Sequence, residues 1–326
     1  MCPGEVLVNI VAIAGGVGGA KMAHGLVQAF PGANLSIIVN IGDDFEHFGL
    51  KICPDLDTVC YTLAGLANPQ TGWGRADETW EAYQVASQLG GPDWFHLGDR
   101  DLGVHLERTR RLLAGQPLSQ VTRDFCEAWG IEAKVLPATD DPVPTWVETA
   151  EGSLPFQEYF VRRRCEPEVR SFSFRGIEHA RPAPGVLEAI RQAEAIVICP
   201  SNPWVSVDPV LGIPGIRSSL VEHRQTGCHL AAVSPIIGGK TIKGPAAKMF
   251  AELGIPPSAL AVAAHYEGLV SDFFLDAVDS VQAGPIAELG IRPWVTDTVM
   301  NRVEDRRRLA QEVLGRLRVE KGEMLA

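Results

Sequence analysis

Leu7-Val8-Asn9-Ile10-Val11-Ala12-Ile13-Ala14, then Gly15-Gly16-Val17-Gly18-Gly19-Ala20-Lys21, is the stretch from which the fold is read. An unbroken apolar run signals a strand buried on both faces. The glycine turn after it opens a helical stretch over 20–30. Strand, glycine turn and helix together aim free N–H groups and the helix dipole at an anion. No strict phosphate fingerprint is met. Lys21 is followed by Met22, which excludes a P-loop, and it stands where a dinucleotide fingerprint needs a third small residue. The turn is therefore a candidate phosphate site through Gly16, Gly18, Gly19 and Lys21. A turn that only packs the helix on the sheet is the alternative.

Outward from this turn, short apolar runs alternate with amphipathic stretches. Strands are expected at 7–14, 35–40, 133–136, 195–199, 229–233 and 260–264. Helices are expected at 20–30, 57–67, 78–89, 101–114, 118–129, 184–192, 246–253 and 302–318. This alternation predicts an α/β protein with a Rossmann-like three-layer αβα fold and a mostly parallel sheet. Between about 140 and 180, the runs TWVETA, LPFQEYFVR and VRSFSFR alternate in polarity and are separated by Gly and Pro. They predict a small antiparallel β-rich insertion within one domain spanning 1–326.

The chemistry is concentrated after the second strand. Asp43, Asp44, Asp55 and Asp57 fall within fifteen residues. Carboxylates this close repel one another unless a cation or strong donors neutralise them. A divalent metal gripping a phosphorylated substrate is one answer, and a solvated acidic loop is the other. Pro200-Ser201-Asn202-Pro203 and Ser234 to Pro245, including Gly239, Lys240 and Lys243, follow two further strands. Ligands in open α/β sheets bind outside the carboxyl ends of strands, so these loops and the glycine turn converge on one crevice. Ser201 and Asn202 either bind phosphate or cap the next helix. Lys240 and Lys243 suit a diphosphate as compact charges.

Trp73, Trp80 and Trp94 to Asp101 offer aromatic faces and Arg100 to a flat heterocycle. Core packing for Trp73 and Trp80, and an ion pair of Arg100 with Asp99 or Asp101, are the structural alternatives. His47, His96 and His105 show no metal-ligand spacing. A formal charge of -11 and a pI near 5.2 speak against nucleic-acid binding. No apolar run has the length of a membrane span. Seven scattered cysteines without C-x-x-C predict reduced thiols and a cytoplasmic protein, with Cys53 and Cys199 buried as small apolar groups.

Eight blocks then carry a resemblance: GGVGGAK at 15–21, NIGDD at 40–44, ICPDLDT at 52–58, GWG at 72–74, DETW at 77–80, LGDRD at 97–101, PSNP at 200–203 and SPIIGGK at 234–240. In this order they resemble the CofD family, the 2-phospho-L-lactate transferases of coenzyme F420 biosynthesis. The resemblance runs from residue 7 to about 300. It implies a Mg²⁺-dependent transferase. The hydroxyl of the deazaflavin Fo attacks the phosphorus that carries a phospho-acid in a guanosine diphosphate-linked donor, and GMP leaves. It also implies Fo contacts at Asp57 and Arg100, with Asp44, Asp55 and Asp57 as metal or base candidates and Asp57 and Asp44 as the catalytic pair. The glycine turn, Ser201, Asn202 and the Gly239–Lys243 loop would hold the guanylylated donor. The form of the glycine turn and the Asp-Glu-Thr-Trp block are nearer bacterial members, which favours phosphoenolpyruvate over 2-phospho-L-lactate as the acid, with a phosphoglycerate-derived donor as a third alternative. A homodimer is expected. Two other classes stay open: a non-catalytic nucleotide-binding regulator on the same fold, and an NAD-dependent oxidoreductase.

Overall fold

A computed structural model describes residues 9–323, with side chains through Leu317. Leu7 and Val8 of the first expected strand lie outside the described residues. Along the chain run β1 (Asn9–Ala14), α1 (Gly16–Ala29), β2 (Asn34–Val39), the hairpin β3 (Phe45–His47) and β4 (Leu50–Ile52), α2 (Pro54–Leu63), α3 (Glu81–Gln88), α4 (Asp99–Leu113), α5 (Leu118–Ala128) and β5 (Lys134–Pro137). Next come β6 (Thr145–Thr149), β7 (Gly152–Pro155), β8 (Val169–Phe174), α6 (Val186–Gln192), β9 (Ala195–Ile198), α7 (Asp208–Leu211), α8 (Ile216–Gln225) and β10 (His229–Val233). The chain closes with the short hairpin β11 (Ile236–Ile237) and β12 (Lys240–Thr241), α9 (Ala246–Glu252), α10 (Ala259–His265), β13 (Asp272–Asp276), α11 (Ala283–Glu288), β14 (Arg292–Thr296) and α12 (Val303–Glu323).

Seven strands form the central sheet in the order β14-β13-β10-β9-β1-β2-β5. Every neighbouring pair is parallel. The chain moves outward from β1 to β2 and β5, then returns to lay β9 on the other side of β1 and continues to β14. This is a doubly wound order, and its reversal point is the gap between β1 and β9. Ile10 to Ala14, Ile37 to Val39 and Ile196 to Ile198 are buried, as strands covered on both faces require. Met22, Ala23 and Leu26 of α1 bury one face of that helix, and Leu309, Val313 and Leu314 of α12 belong to the same core. The expected insertion is a three-stranded antiparallel sheet with β6 between β7 and β8. It is tied to the acidic region where the Thr145 amide donates to the Gly42 carbonyl at 2.8 Å.

Two expectations about elements are corrected. The stretch 260–264 is helix α10, not a strand. Ser258 caps it by accepting from the Ala261 amide, and its alanines favour helix over sheet. The sheet instead gains β13 and β14, which the sequence reading passed over. Asp272 and Asp276 bound β13 and are buried, so the strand lacks the apolar flanks that mark its neighbours. Helix α1 begins at Gly16, so the glycine turn is largely the helix's first turn. Helix α2 begins at Pro54, which places Asp55 and Asp57 in its first turn, where the dipole favours negative charge.

Candidate active site

The reversal point of the sheet is closed by hydrogen bonds between its two loops. The Ser201 hydroxyl donates to the Gly15 carbonyl at 2.9 Å, and the Gly15 amide donates back to Ser201 Oγ at 3.2 Å. Ser201 is buried and caps no helix. Asn202 is the cap, accepting from the Trp204 amide at 3.1 Å. Two glycines are needed here for different reasons. Gly16 has φ +63, in the left-handed region. A Cβ on Gly18 would stand 2.2 Å from the Pro200 carbonyl oxygen. The glycine turn thus lets two loops approach closely, and its Gly16 amide already has an anion: it donates to Asp55 Oδ1 at 2.8 Å.

Asn40, at the end of β2, organises the carboxylates. Its buried side-chain amide reaches Asp43 Oδ1 at 3.0 Å, Asp55 Oδ2 at 2.9 Å and the Val205 carbonyl at 3.1 Å. Asp44 faces Lys51 Nζ at 3.1 Å and the Cys53 thiol at 3.1 Å through one oxygen. Its other oxygen, Oδ1, is buried without a partner. Asp43, Asp44 and Asp55 are each less than a tenth exposed. Burial, and secondarily Asp55, pushes the Asp43 carboxyl well above the usual carboxylate range. Burial raises Asp55 to about 6, against the hydrogen bonds from Asn40 and Gly16. Burial also raises Asp44, with Lys51 opposing it. Of the three buried carboxylates only Asp44 faces a lysine, and its Oδ1 has no donor. A hard divalent cation takes oxygen ligands and would supply the positive charge missing here. Asp43 and Asp44 are two residues' worth of acid at the end of β2, and Asp55 is brought to them by the start of α2.

Asp57 belongs to a different arrangement. Both of its oxygens are held by the fork of Arg108, Oδ2 by Nη1 at 3.1 Å and Oδ1 by Nη2. Arg108 Nη1 also lies 3.2 Å from His105 Nδ1, and His105 Nε2 lies 3.4 Å from Asp101 Oδ1. Tyr61 donates to that same Asp101 oxygen at 2.6 Å. Burial alone would lower the Arg108 guanidinium, but Asp57 outweighs it and the proton is held more tightly than usual. Asp57, Asp101 and His105 offer oxygen and nitrogen atoms within 4.8 Å of one another. Arg108 already supplies positive charge beside this trio; among the described residues the trio is the group gathered this closely, and Asp43, Asp44 and Asp55 do not bring one ligand atom each within that distance.

Arg100 stands at the start of α4. Its Nη1 donates to the Ala76 carbonyl at 3.2 Å and lies 3.9 Å from the exposed Asp77. The alternative of pairing with Asp99 or Asp101 is not what the structure shows. Asp99 instead caps α3 through the Glu81 and Ala82 amides, and Asp101 is engaged by Tyr61 and His105. Arg100 lines a pocket of about 310 Å³ with Arg75, Phe125 and Trp129. Trp73 and Trp80 are exposed at 55% and 39%, so neither is a core residue.

The remaining lysines spread apart. Lys21 Nζ donates to the Met300 carbonyl at 2.8 Å, and burial lowers its ammonium from the usual lysine value. Lys240 is exposed on β12, next to Gly239 at φ +74. Lys243 is exposed and donates to the Thr71 carbonyl, which joins the Gly-Lys loop to the Gly72–Gly74 turn. Residues missed by sequence reasoning are Asn40, Lys51, His105 and Arg108. A signal existed for two of them. Asp101, His105 and Arg108 recur at i, i+4 and i+7, which puts them on one face of α4.

A family model described as 2-phospho-L-lactate transferase CofD matches residues 10–313. A phosphoenolpyruvate transferase of Streptomyces griseus is 43% identical over 312 residues, covering 94% of this chain and 97% of its own. The phosphoenolpyruvate transferase of Streptomyces coelicolor is 42% identical over the same shares. A third, from Thermobifida fusca, is 42% identical over 286 residues, covering 83% of this chain and 87% of its own. Among solved structures, a UPF0052-family protein of Bacillus halodurans superposes with a TM-score of 0.61 at 17% identity, covering 95% of this chain and all of that one. That likeness speaks to the fold alone. Among the described residues no helix is long and apolar enough to cross a membrane. The chain belongs to the CofD family of 2-phospho-L-lactate and phosphoenolpyruvate transferases.

Proposed function

We propose that the protein transfers a phosphoenolpyruvyl group from a guanosine diphosphate-linked donor to the hydroxyl of Fo, with release of GMP and with Mg²⁺ bound. The observation that carries this reading is the charge deficit of Asp43, Asp44 and Asp55, with the unpartnered Asp44 Oδ1 among them. These three residues would hold the cation. When bound, it would supply charge neutralisation to a phosphorylated substrate. The chain's own groups do the rest. Lys240, Lys243 and the positive end of α1 at Gly18 and Gly19, beside the Gly16 amide that Asp55 holds, draw the donor's diphosphate to the sheet reversal point. Asn202 and Ser201 form the floor of that crevice. Asp57, fixed by Arg108, and Arg100 orient the acceptor.

In the transfer, the acceptor oxygen bonds to the phosphorus bearing the enolpyruvyl group and the bond from that phosphorus to the GMP oxygen breaks. The acceptor proton passes to a carboxylate. Such chemistry asks mainly for positioning and charge neutralisation. The relatives' names support enolpyruvate as the acid. The test is to incubate the protein with Fo, Mg²⁺ and each guanylylated acid in turn (enolpyruvyl, lactyl and glyceryl) and to identify products by mass. A dehydro phosphodiester of Fo with stoichiometric GMP is the expected product. No GMP release with any donor would refute the reading.

A further inference from the structure

We infer that Arg108, itself set by His105 and Asp101, is the positioning residue that holds Asp57 for the acceptor. This rests on the reading of Asp57 and Arg100 as acceptor contacts. Four observations support it. First, Arg108 meets both oxygens of Asp57, and a two-point fork fixes the plane of a carboxylate as one contact cannot. Second, Arg108 has its own anchors. Its Nη1 reaches the Lys51 carbonyl at 3.4 Å and His105 Nδ1 at 3.2 Å. A guanidinium only donates, so Nδ1 accepts and the imidazole proton sits on Nε2, 3.4 Å from Asp101 Oδ1.

Third, the chain of contacts ends where Arg100 begins. Glu78 accepts from the Arg100 amide at 2.8 Å and the Asp101 amide at 2.9 Å. Tyr61, one turn below Asp57 on α2, donates to Asp101 at 2.6 Å. Helices α2 and α4 are thereby locked at two levels, and Asp57 and the backbone of Arg100 are held in one frame. Fourth, a buried ion pair is a poor source of net stability, because desolvation offsets its attraction. A well-packed apolar pair would serve folding as well. The network at the proposed acceptor contact, in which His105 Nε2 faces Asp101 at 3.4 Å without a hydrogen bond, instead supplies orientation, which transfer chemistry needs.

The test compares Arg108→Lys and His105→Gln with wild type in Fo-dependent GMP release, GDP binding and thermal melting. Arg108→Lys keeps the charge and loses the fork. Displacing Asp57 should lower turnover or raise the Fo requirement by roughly a hundredfold, while GDP affinity stays within about twofold. His105→Gln, which spares the ion pair, should give a smaller loss of the same kind. If Arg108→Lys does not fold, His105→Gln decides alone. Wild-type Fo dependence and turnover in the folded variants would overturn the role of Arg108. So would a loss that GDP affinity and melting temperature share in proportion, since that marks a structural pair. Wild-type protein inert with Fo would instead overturn the functional reading, and the inference with it.

Discussion

Replacing Asp55 by Asn in the metal-free protein should stabilise it at neutral pH, although the residue sits in the proposed metal site. The Asp55 carboxyl is raised from 3.8 to about 6 by burial. A carboxyl raised on folding binds protons more tightly in the native state. Its contribution is therefore most favourable at low pH and is lost as pH rises from the unfolded value through about 6. The full penalty is on the order of 3 kcal/mol, since each tenfold gain in proton affinity on folding is worth about 1.36 kcal/mol. About 2 kcal/mol of it falls between pH 4.5 and 7.5. Asn cannot ionise, and any cost of its amide facing Asn40 is the same at both pH values. The difference in unfolding free energy between variant and wild type should thus grow by about 2 kcal/mol from pH 4.5 to 7.5. Urea titrations in EDTA at the two pH values measure it. Saturating MgCl₂ at pH 7.5 should then stabilise wild type more than the variant, because the cation binds the folded wild-type carboxylates. A difference independent of pH, or equal stabilisation of both proteins by MgCl₂, would refute the charge-deficit argument.

Four further outcomes follow from the same geometry. EDTA should abolish GMP release by wild type and added Mg²⁺ should restore it; full activity in chelator would remove the metal from the proposal. Replacing Lys240 and Lys243 together by Ala should weaken GDP binding and leave Fo binding unchanged, as titration calorimetry would show. Arg100→Lys should raise the Fo requirement while the melting curve barely moves, because its exposed contact with Asp77 at 3.9 Å contributes only about 0–1 kcal/mol. Gly18→Ala would force a methyl to within 2.2 Å of the Pro200 oxygen, so the β1 and β9 loops must separate. We expect a loss of roughly 1–3 kcal/mol in a denaturant melt, the usual cost of overpacking.

Much of the fold was legible because buried parallel strands announce themselves. β1, β2, β9 and β10 are short apolar runs between helices, and they make the middle of the sheet. The failures lie at its edge and obey local physics. The Ala259–His265 run is apolar like a strand, but Ser258 caps it and alanine favours helix. β13 was hidden because Asp272 is buried within it, bound by the Trp294 indole N–H at 2.9 Å and by Ser271. An indole 22 positions away leaves no local trace in a sequence pattern.

The site divides in the same way. The density of acid at 43–57 was visible, and so was the convergence of loops at strand ends. Which acid does what was not, because that depends on the counter-charge each one finds. Asp55 and Asp57 are two residues apart on the first turn of α2, so a helix must aim them in different directions. One turns to the Gly16 amide and Asn40, and the other to Arg108. The two therefore part chemically. Asp55 has only the Gly16 and Asn40 N–H donors and no cationic partner, and Asp57 has an arginine of its own. Treating them as one metal-binding pair, as their spacing in the chain invites, would give both the same response to Mg²⁺. The proposed arrangement gives them opposite ones. Mg²⁺-linked stability should vanish with Asp55→Asn and survive, at reduced total stability, in Asp57→Asn, where the cost is an Arg108 left buried without its partner. That cost is about 3–5 kcal/mol for breaking one side of a buried pair. Denaturant titrations of both variants with and without MgCl₂ separate the two roles, and a Mg²⁺ response lost equally in both would return Asp57 to the metal site.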